Sequence, residues 1–232
     1  MPLLKKILFL IKSNANLSVI LVFLKIKLLN IFNKKKKKLA ISENINFLKE
    51  MVITHDYFSS NAYFFYQILK NFNQFKYLEI GSFEGNSAMF VARKFPNSKI
   101  YCVDNWYGTE EYENLNFTII EKNFDKNISE FKNISKIKNL SDNFFKSNQI
   151  KFDVIYVDGY HKASQAYRDF KNSWNFLVTG GIIILDDYIW HFFLDIKDNP
   201  CFAINKFLRE ISGKFKILIV SNSQIFIKKT SA

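Results

Sequence analysis

The stretch Tyr77-Leu78-Glu79-Ile80-Gly81-Ser82-Phe83-Glu84-Gly85-Asn86-Ser87 limits what this chain can fold into more than any other. A short apolar run closes on an acidic residue. Two glycines follow, and an amphipathic segment, Ala88 to Ala92, comes next. That order predicts a buried strand, a tight turn and a helix. Such a turn points backbone N–H groups into a crevice at a helix N-terminus, where a ligand carboxylate or phosphate is stabilised.

From Phe75 onward the alternation continues. Periodicity and turn signals predict strands at about 76–80, 99–103, 135–139, 152–157, 181–185, 215–220 and 224–228, with helices at about 85–95, 115–131, 142–147, 161–177 and 199–211. This spacing implies a Rossmann-like, doubly wound α/β domain with a mainly parallel seven-stranded sheet covered on both faces. Only Ser221-Asn222-Ser223 separates the last two strands. They read as a hairpin, so one of them runs antiparallel at the sheet edge. Upstream, residues 43–51 and 56–72 read as helical, with Asp56 as N-cap of the second segment. Its aromatics, Tyr57, Phe58 and Tyr63 to Tyr66, are expected mostly in the core, with substrate contact as the alternative.

The formal net charge of +12 is concentrated at the N-terminus. Residues 1–40 hold ten lysines and no acid, which leaves 23 basic and 21 acidic residues for the rest. A nucleic-acid reader carries its charge beside its binding fold, so nucleic acid is not an expected partner. Residues 1–40 are read as a basic amphipathic extension and 41–232 as the catalytic domain. No uncharged run reaches the ~18 residues of a membrane span. A signal peptide fits poorly, because Lys12 interrupts the short apolar region and no cleavage site follows. Two readings of the extension stay open. It could lie on an anionic membrane surface through residues 1–38, or pack on the domain or a partner with Lys34 to Lys38 as a solvated linker. The two cysteines, Cys102 and Cys201, are far apart and lack metal-like spacing, so a reduced, cytoplasmic protein is expected.

Ligands of open α/β sheets bind beyond the carboxyl ends of the strands. Those ends carry Glu79 with the Gly81/Gly85 turn, then Asp104, Asn105 and Trp106. Ser141 and Asp142 follow, then Asp158, Gly159, Tyr160 and His161, and last Asp186, Asp187 and Tyr188. A cleft lined this way is acidic. Asp104, 23 residues after Gly81, suits the two hydroxyls of a ribose. The glycine pattern is Gly-x-x-x-Gly and lacks the Gly-x-Gly-x-x-Gly of a dinucleotide site.

With these motifs together, the chain resembles class I S-adenosylmethionine-dependent methyltransferases over about residues 54–228, nearest to the small-molecule O-methyltransferase branch. The motifs are Tyr77 to Gly85, Val103-Asp-Asn-Trp106, Phe152 to His161 and Gly180 to Tyr188. The resemblance implies a cofactor site shaped by Glu79, Gly81, Ser82, Gly85 and Asn86, with Asp104 and Asn105 at the ribose and Ser141 or Asp142 near the adenine. Some members of the branch use a divalent metal. The resemblance places Asp158, Asp186 and Asp187 at its ligand positions, with oxygen chemistry that suits Mg²⁺. His161, three residues after Asp158, matches the position of a basic catalytic residue, usually lysine. Asp158 and His161 are therefore the candidate catalytic pair, and the acceptor is expected to be a small or sugar-containing molecule methylated on oxygen.

Local structure offers competing roles. Asp158 could cap the following helix, Asp187 could face solvent, and His161 could be an ordinary first-turn residue. His55 and His191 read as surface or packing groups. Two other functions stay open: a nicotinamide-dependent oxidoreductase, and a non-catalytic membrane-associated module that binds cofactor.

Overall fold

The computed structural model describes residues 1–231. The chain begins with helix α1 (Leu3–Lys12) and helix α2 (Leu17–Phe32), and helix α3 (Lys34–Leu48) follows after a single residue. Lys34 to Lys38, expected as a linker under one reading, are thus helical. A 3₁₀ turn at Ser59–Asn61 leads into α4 (Ala62–Leu69). Asp56 caps that turn rather than α4, accepting the amide hydrogens of Phe58 and Ser59 at 3.2 and 2.8 Å. The alternating part runs β1 (Lys76–Ile80), α5 (Asn86–Lys94), β2 (Lys99–Asp104), α6 (Phe117–Ile128), β3 (Ile134–Lys138), α7 (Ser141–Ser147), β4 (Phe152–Val157), α8 (Ala163–Phe176), β5 (Leu177–Leu185), α9 (Pro200–Glu210), β6 (Phe215–Val220) and β7 (Ile225–Lys229).

The strands make a seven-stranded, mainly parallel sheet. The chain divides into two compact units: residues 32–144, and residues 1–31 together with the chain from Phe145 onward. In the first, the strand order is β3-β2-β1, all parallel, with Glu79 beside Cys102 and Val103 beside Ile137. In the second, the order is β4-β5-β7-β6. There β4 and β5 are parallel, and β7 runs antiparallel to both β5 and β6. The antiparallel strand is therefore the inner member of the hairpin, and β6 forms the edge.

The sequence explains the element ends. Gly85, at φ +85°, occupies the N-cap of α5 in the left-handed region that favours glycine. Asn116 caps α6 by accepting from the amides of Thr118 and Ile119. Pro200 opens α9, where its missing N–H costs nothing. Tyr77, Leu78 and Ile80 of β1 and Val154, Ile155 and Tyr156 of β4 are buried, as expected for strands covered on both faces.

The first thirty-one residues belong to the same unit as the last third of the chain. The backbone oxygen of Ser13 accepts from buried Asn205 Nδ2 at 2.9 Å, and Asn14 O accepts from Arg209 at 2.8 Å. Asn205 Oδ1 in turn accepts the Tyr188 hydroxyl at 2.7 Å.

Candidate active site

Each unit holds its own set of candidate residues. In residues 32–144 the set is built on the loop between β1 and α5. Gly81 and Phe83 stand at φ +85° and +48°, and the Gly85 amide closes the turn onto Ser82 O at 2.8 Å. A phenylalanine at positive φ is strained, and two groups hold it. Asp104 Oδ2 accepts the amides of Ser82 and Phe83 at 2.9 and 3.0 Å, and the Trp106 indole N–H donates to Phe83 O at 2.9 Å. Asp104 Oδ1 also accepts the Trp106 amide at 2.8 Å. The enclosure this requires pushes the Asp104 carboxyl up through desolvation, against the pull of these amides.

Glu79 is fully buried, and its Oε2 accepts the Tyr77 hydroxyl at 2.8 Å. Its neighbour across the ladder, Cys102, has a thiol pushed well up by burial and by the Glu79 charge. Ser82 is buried, and Asn105 Oδ1 accepts the Tyr107 amide at 2.8 Å. Asn86 accepts from Asn44 at 3.0 Å and donates to Asp56 at 2.8 Å, so it fastens the helix start to the upstream chain. Ser141 and Asp142 are half-buried in the first turn of α7, directly after β3. Beside the loop, the rings of Tyr57, Phe83, Tyr112 and Phe117 form an aromatic cluster, with centroids 5.6 Å apart for Tyr57–Phe83 and 6.2 Å for Phe83–Tyr112.

One member of this set carried no sequence signal of its own. Glu84 is buried and accepts the Thr54 amide at 2.7 Å, the Thr54 hydroxyl at 3.0 Å and Asn123 Nδ2 at 2.7 Å. It reads as a loop residue in the sequence because all of its partners lie at a distance along the chain.

The second set stands in the other unit, at the ends of β4 and β5. His161 Nε2 lies 2.7 Å from Asp187 Oδ2 and 3.5 Å from Asp158 Oδ1. One donor atom from each of the three falls within 4.8 Å of the others. Asp187 adopts φ +52°, a further strained position on a strand-end loop. The Trp190 ring packs against His161 with centroids 4.9 Å apart and stacks on Phe192 at 5.4 Å. Asp158, His161, Asp169 and Asp186 line a small recess at these strand ends.

Asp186 is engaged differently from its neighbour. The hydroxyl of buried Tyr156 donates to Asp186 Oδ2 and also lies 2.7 Å from Asp158 Oδ2. Gln224 Nε2 donates to the same Asp186 oxygen at 2.7 Å, and Asp186 Oδ1 accepts the Asp187 amide at 2.8 Å. Burial pushes the Asp186 carboxyl well up, and the charges of Asp158 and Asp187 add to the effect. The structure therefore brings Asp158, His161 and Asp187 together, while Asp186 is held from the side by Tyr156 and Gln224. Tyr156, near the end of β4 and two residues before Asp158, carried no sequence signal beyond that of a core aromatic. Gln224 had none, since its partner lies 38 residues away.

The chain is similar to known proteins both in sequence and in fold. Residues 78–188 match the family model described as a methyltransferase domain. An uncharacterized protein of Acanthamoeba polyphaga mimivirus is 24% identical over 184 residues, covering 75% of this chain and 80% of the relative. A candidate caffeoyl-CoA O-methyltransferase of Staphylococcus aureus superposes with a TM-score of 0.60 at 16% identity, covering 89% of this chain and 99% of that one. The O-methyltransferase TomG from Streptomyces achromogenes, solved with S-adenosylmethionine, gives 0.57 at 14% identity over 83% and 90%. MycE from the mycinamycin pathway, solved with Mg, S-adenosylhomocysteine and mycinamycin VI, gives 0.58 at 14% identity over 82% of this chain and 54% of its own.

Proposed function

We propose that this chain, a class I S-adenosylmethionine-dependent methyltransferase, moves the methyl group to an oxygen atom of a small-molecule acceptor, with Asp158, His161 and Asp187 preparing that oxygen. The observation that carries the reading is that Asp158, His161 and Asp187 each bring one donor atom within 4.8 Å of the others. Two of the three, Asp158 and His161, also line the recess at the ends of β4 and β5.

The cofactor side is supported by the chemistry of its donors. Glu79 and Asp104 are carboxylates at the ends of neighbouring strands, and a carboxylate accepts both ribose hydroxyl protons and the ammonium of a methionine moiety. Gly81, Ser82, Gly85 and Asn86 set the turn, Asn105 follows Asp104, and Ser141 or Asp142 would stand near the adenine. The bound cofactor supplies an electrophilic methyl group on a sulfonium. Asp104 works twice in this reading, since the carboxylate offered to the ribose also fixes the loop through Ser82 and Phe83.

The three-residue cluster suits a divalent cation, because hard carboxylate oxygens with one imidazole match Mg²⁺ or Mn²⁺. When bound, such an ion lowers the pKa of an acceptor hydroxyl. Asp158 and Asp187 would supply the charge, with Asp186 and Tyr156 fixing their positions. MycE, the relative solved with Mg, has a similar fold. A second use of the cluster rests on the 2.7 Å His161–Asp187 pair. There His161 takes the hydroxyl proton itself, and Asp187 stabilises the imidazolium. Trp190, packed on His161, would give an apolar wall to the acceptor. The buried free thiols Cys102 and Cys201 fit a reducing, cytoplasmic setting.

Calorimetry with S-adenosylhomocysteine tests the cofactor side directly, and absence of binding by folded protein would end the reading. Turnover on a panel of hydroxylated acceptors, with Mg²⁺ or with excess EDTA, separates the two uses. Loss in EDTA with recovery on Mg²⁺ supports the cation; unchanged turnover together with loss in His161→Gln supports the proton acceptor.

A further inference from the structure

We propose that helices α1 and α2 form a docking surface for an anionic lipid bilayer. α2 carries two apolar faces. One, with Val19, Phe23 and Ile26, is buried. The other consists of Leu17, Leu21, Leu24, Leu28 and Ile31, spaced alternately by four and three residues, which sets them in one stripe along the helix. Leu17 is 70% exposed, Leu28 62% and Ile31 69%, while Leu24 is half-buried. α1 repeats the design, with Phe9 and Leu10 buried and Leu4, Leu8 and Ile11 exposed on one stripe. One buried face is all that an ordinary surface helix needs. A second, uncovered apolar stripe on the same helix marks an interaction surface.

Charge selects the occupant. Lys5, Lys12 and Lys25 are exposed on these two helices, Lys34 to Lys38 follow α2 in sequence, and the first acidic residue of the chain is Glu43. A second copy seated on the stripe would bring two sets of lysines together with no acid on either segment, which repels. An anionic bilayer accepts both features: leucines enter the acyl boundary and ammonium groups meet the headgroups. No helix of the described residues is long and apolar enough to cross a membrane, so the helices lie on the surface.

This surface does not depend on the methyl-transfer reading. Full-length protein would be sedimented with vesicles of phosphatidylcholine alone and of phosphatidylcholine mixed with phosphatidylserine. Binding is expected to the mixed vesicles only, and to weaken as salt screens the lysines. The double substitution Leu21→Ser with Leu28→Ser should lower partition by about tenfold or more. Both side chains are exposed, so the fold should persist, checked by the melting temperature. The pair Lys12→Glu and Lys25→Glu should weaken binding and flatten its salt dependence. Failure of the wild type to sediment with mixed vesicles at low salt would overturn the proposal. So would equal sedimentation of the leucine variant, or light scattering that shows a dimer which the leucine variant turns into a monomer.

Discussion

Asp104 Oδ2 holds the amide of Phe83 at 3.0 Å while Phe83 stands at φ +48°. A bulky residue in this region costs about 1–3 kcal/mol. The carboxylate of the second strand thus keeps the loop of the first in a shape it would otherwise leave. Asp104→Asn offers one acceptor oxygen to amides that now share two. The expected result is a loss of about 1–3 kcal/mol in urea unfolding and S-adenosylhomocysteine affinity lower by about tenfold or more. Unchanged affinity would show that the loop keeps its shape without this carboxylate.

Gly85→Ala probes the same loop from the helix side. The new Cβ would sit 3.1 Å from Phe124 Cδ2, at a backbone φ of +85°. Left-handed strain and the contact together should cost about 1–2 kcal/mol. Thermal melting reads the loss, and a variant as stable as the wild type would contradict it.

Gln224→Leu removes the amide that reaches Asp186 Oδ2 at 2.7 Å within a buried site. The carboxylate loses this donor and keeps those of Tyr156 and the Asp187 amide. A destabilisation of about 1–3 kcal/mol is expected, with turnover also reduced as the strand-end carboxylates shift. Gln224→Glu should be worse, since it adds a further negative group beside three aspartates.

The Asp186 carboxyl is raised by burial and by its two anionic neighbours, so the folded state holds this proton more firmly than the unfolded chain. Its contribution to stability is therefore complete below about pH 4, the unfolded value, and is lost as pH rises through the folded value. Unfolding free energy measured from acid to neutral pH should fall less for Asp186→Asn than for the wild type. Parallel curves would show that Asp186 titrates normally.

Asp187→Ala leaves Asp158 and His161 but removes the oxygen 2.7 Å from His161 Nε2. Mn²⁺ titrated by calorimetry should bind the wild type and lose about tenfold or more in the variant. Equal Mn²⁺ affinities would leave the cluster to proton transfer alone.

The strand positions were legible because short apolar runs closed by an acid, a glycine or a polar turn leave little choice. β1, β4 and β6 match expectation residue for residue, whereas β5 begins at Leu177, four residues early, running straight on from α8. The Asp158, His161 and Asp186–Asp187 motifs announced a site by spacing, but spacing cannot say which carboxylate a tyrosine will occupy. Tyr156 reads as one more core aromatic in a strand, and Gln224 as a turn residue. Only the register of β5 on β7, with Leu185 beside Ile225, brings Gln224 next to Asp186. The tail was legible in charge and not in shape. Its lysines are plain, yet the two faces of α2 appear only once Phe23 and Ile26 are seen buried.

The bond from Asn205 to Ser13 bears on how the protein can be made. A shortened version starting near residue 41 looks harmless, because it trims a lysine-rich segment that precedes the methyltransferase motifs. It would also expose Asn205, Tyr188 and Cys201 to water, and leave Arg209 without the Asn14 carbonyl. Such a truncation should express as an aggregation-prone product, and inactivity in it would say nothing about the chemistry of the intact enzyme.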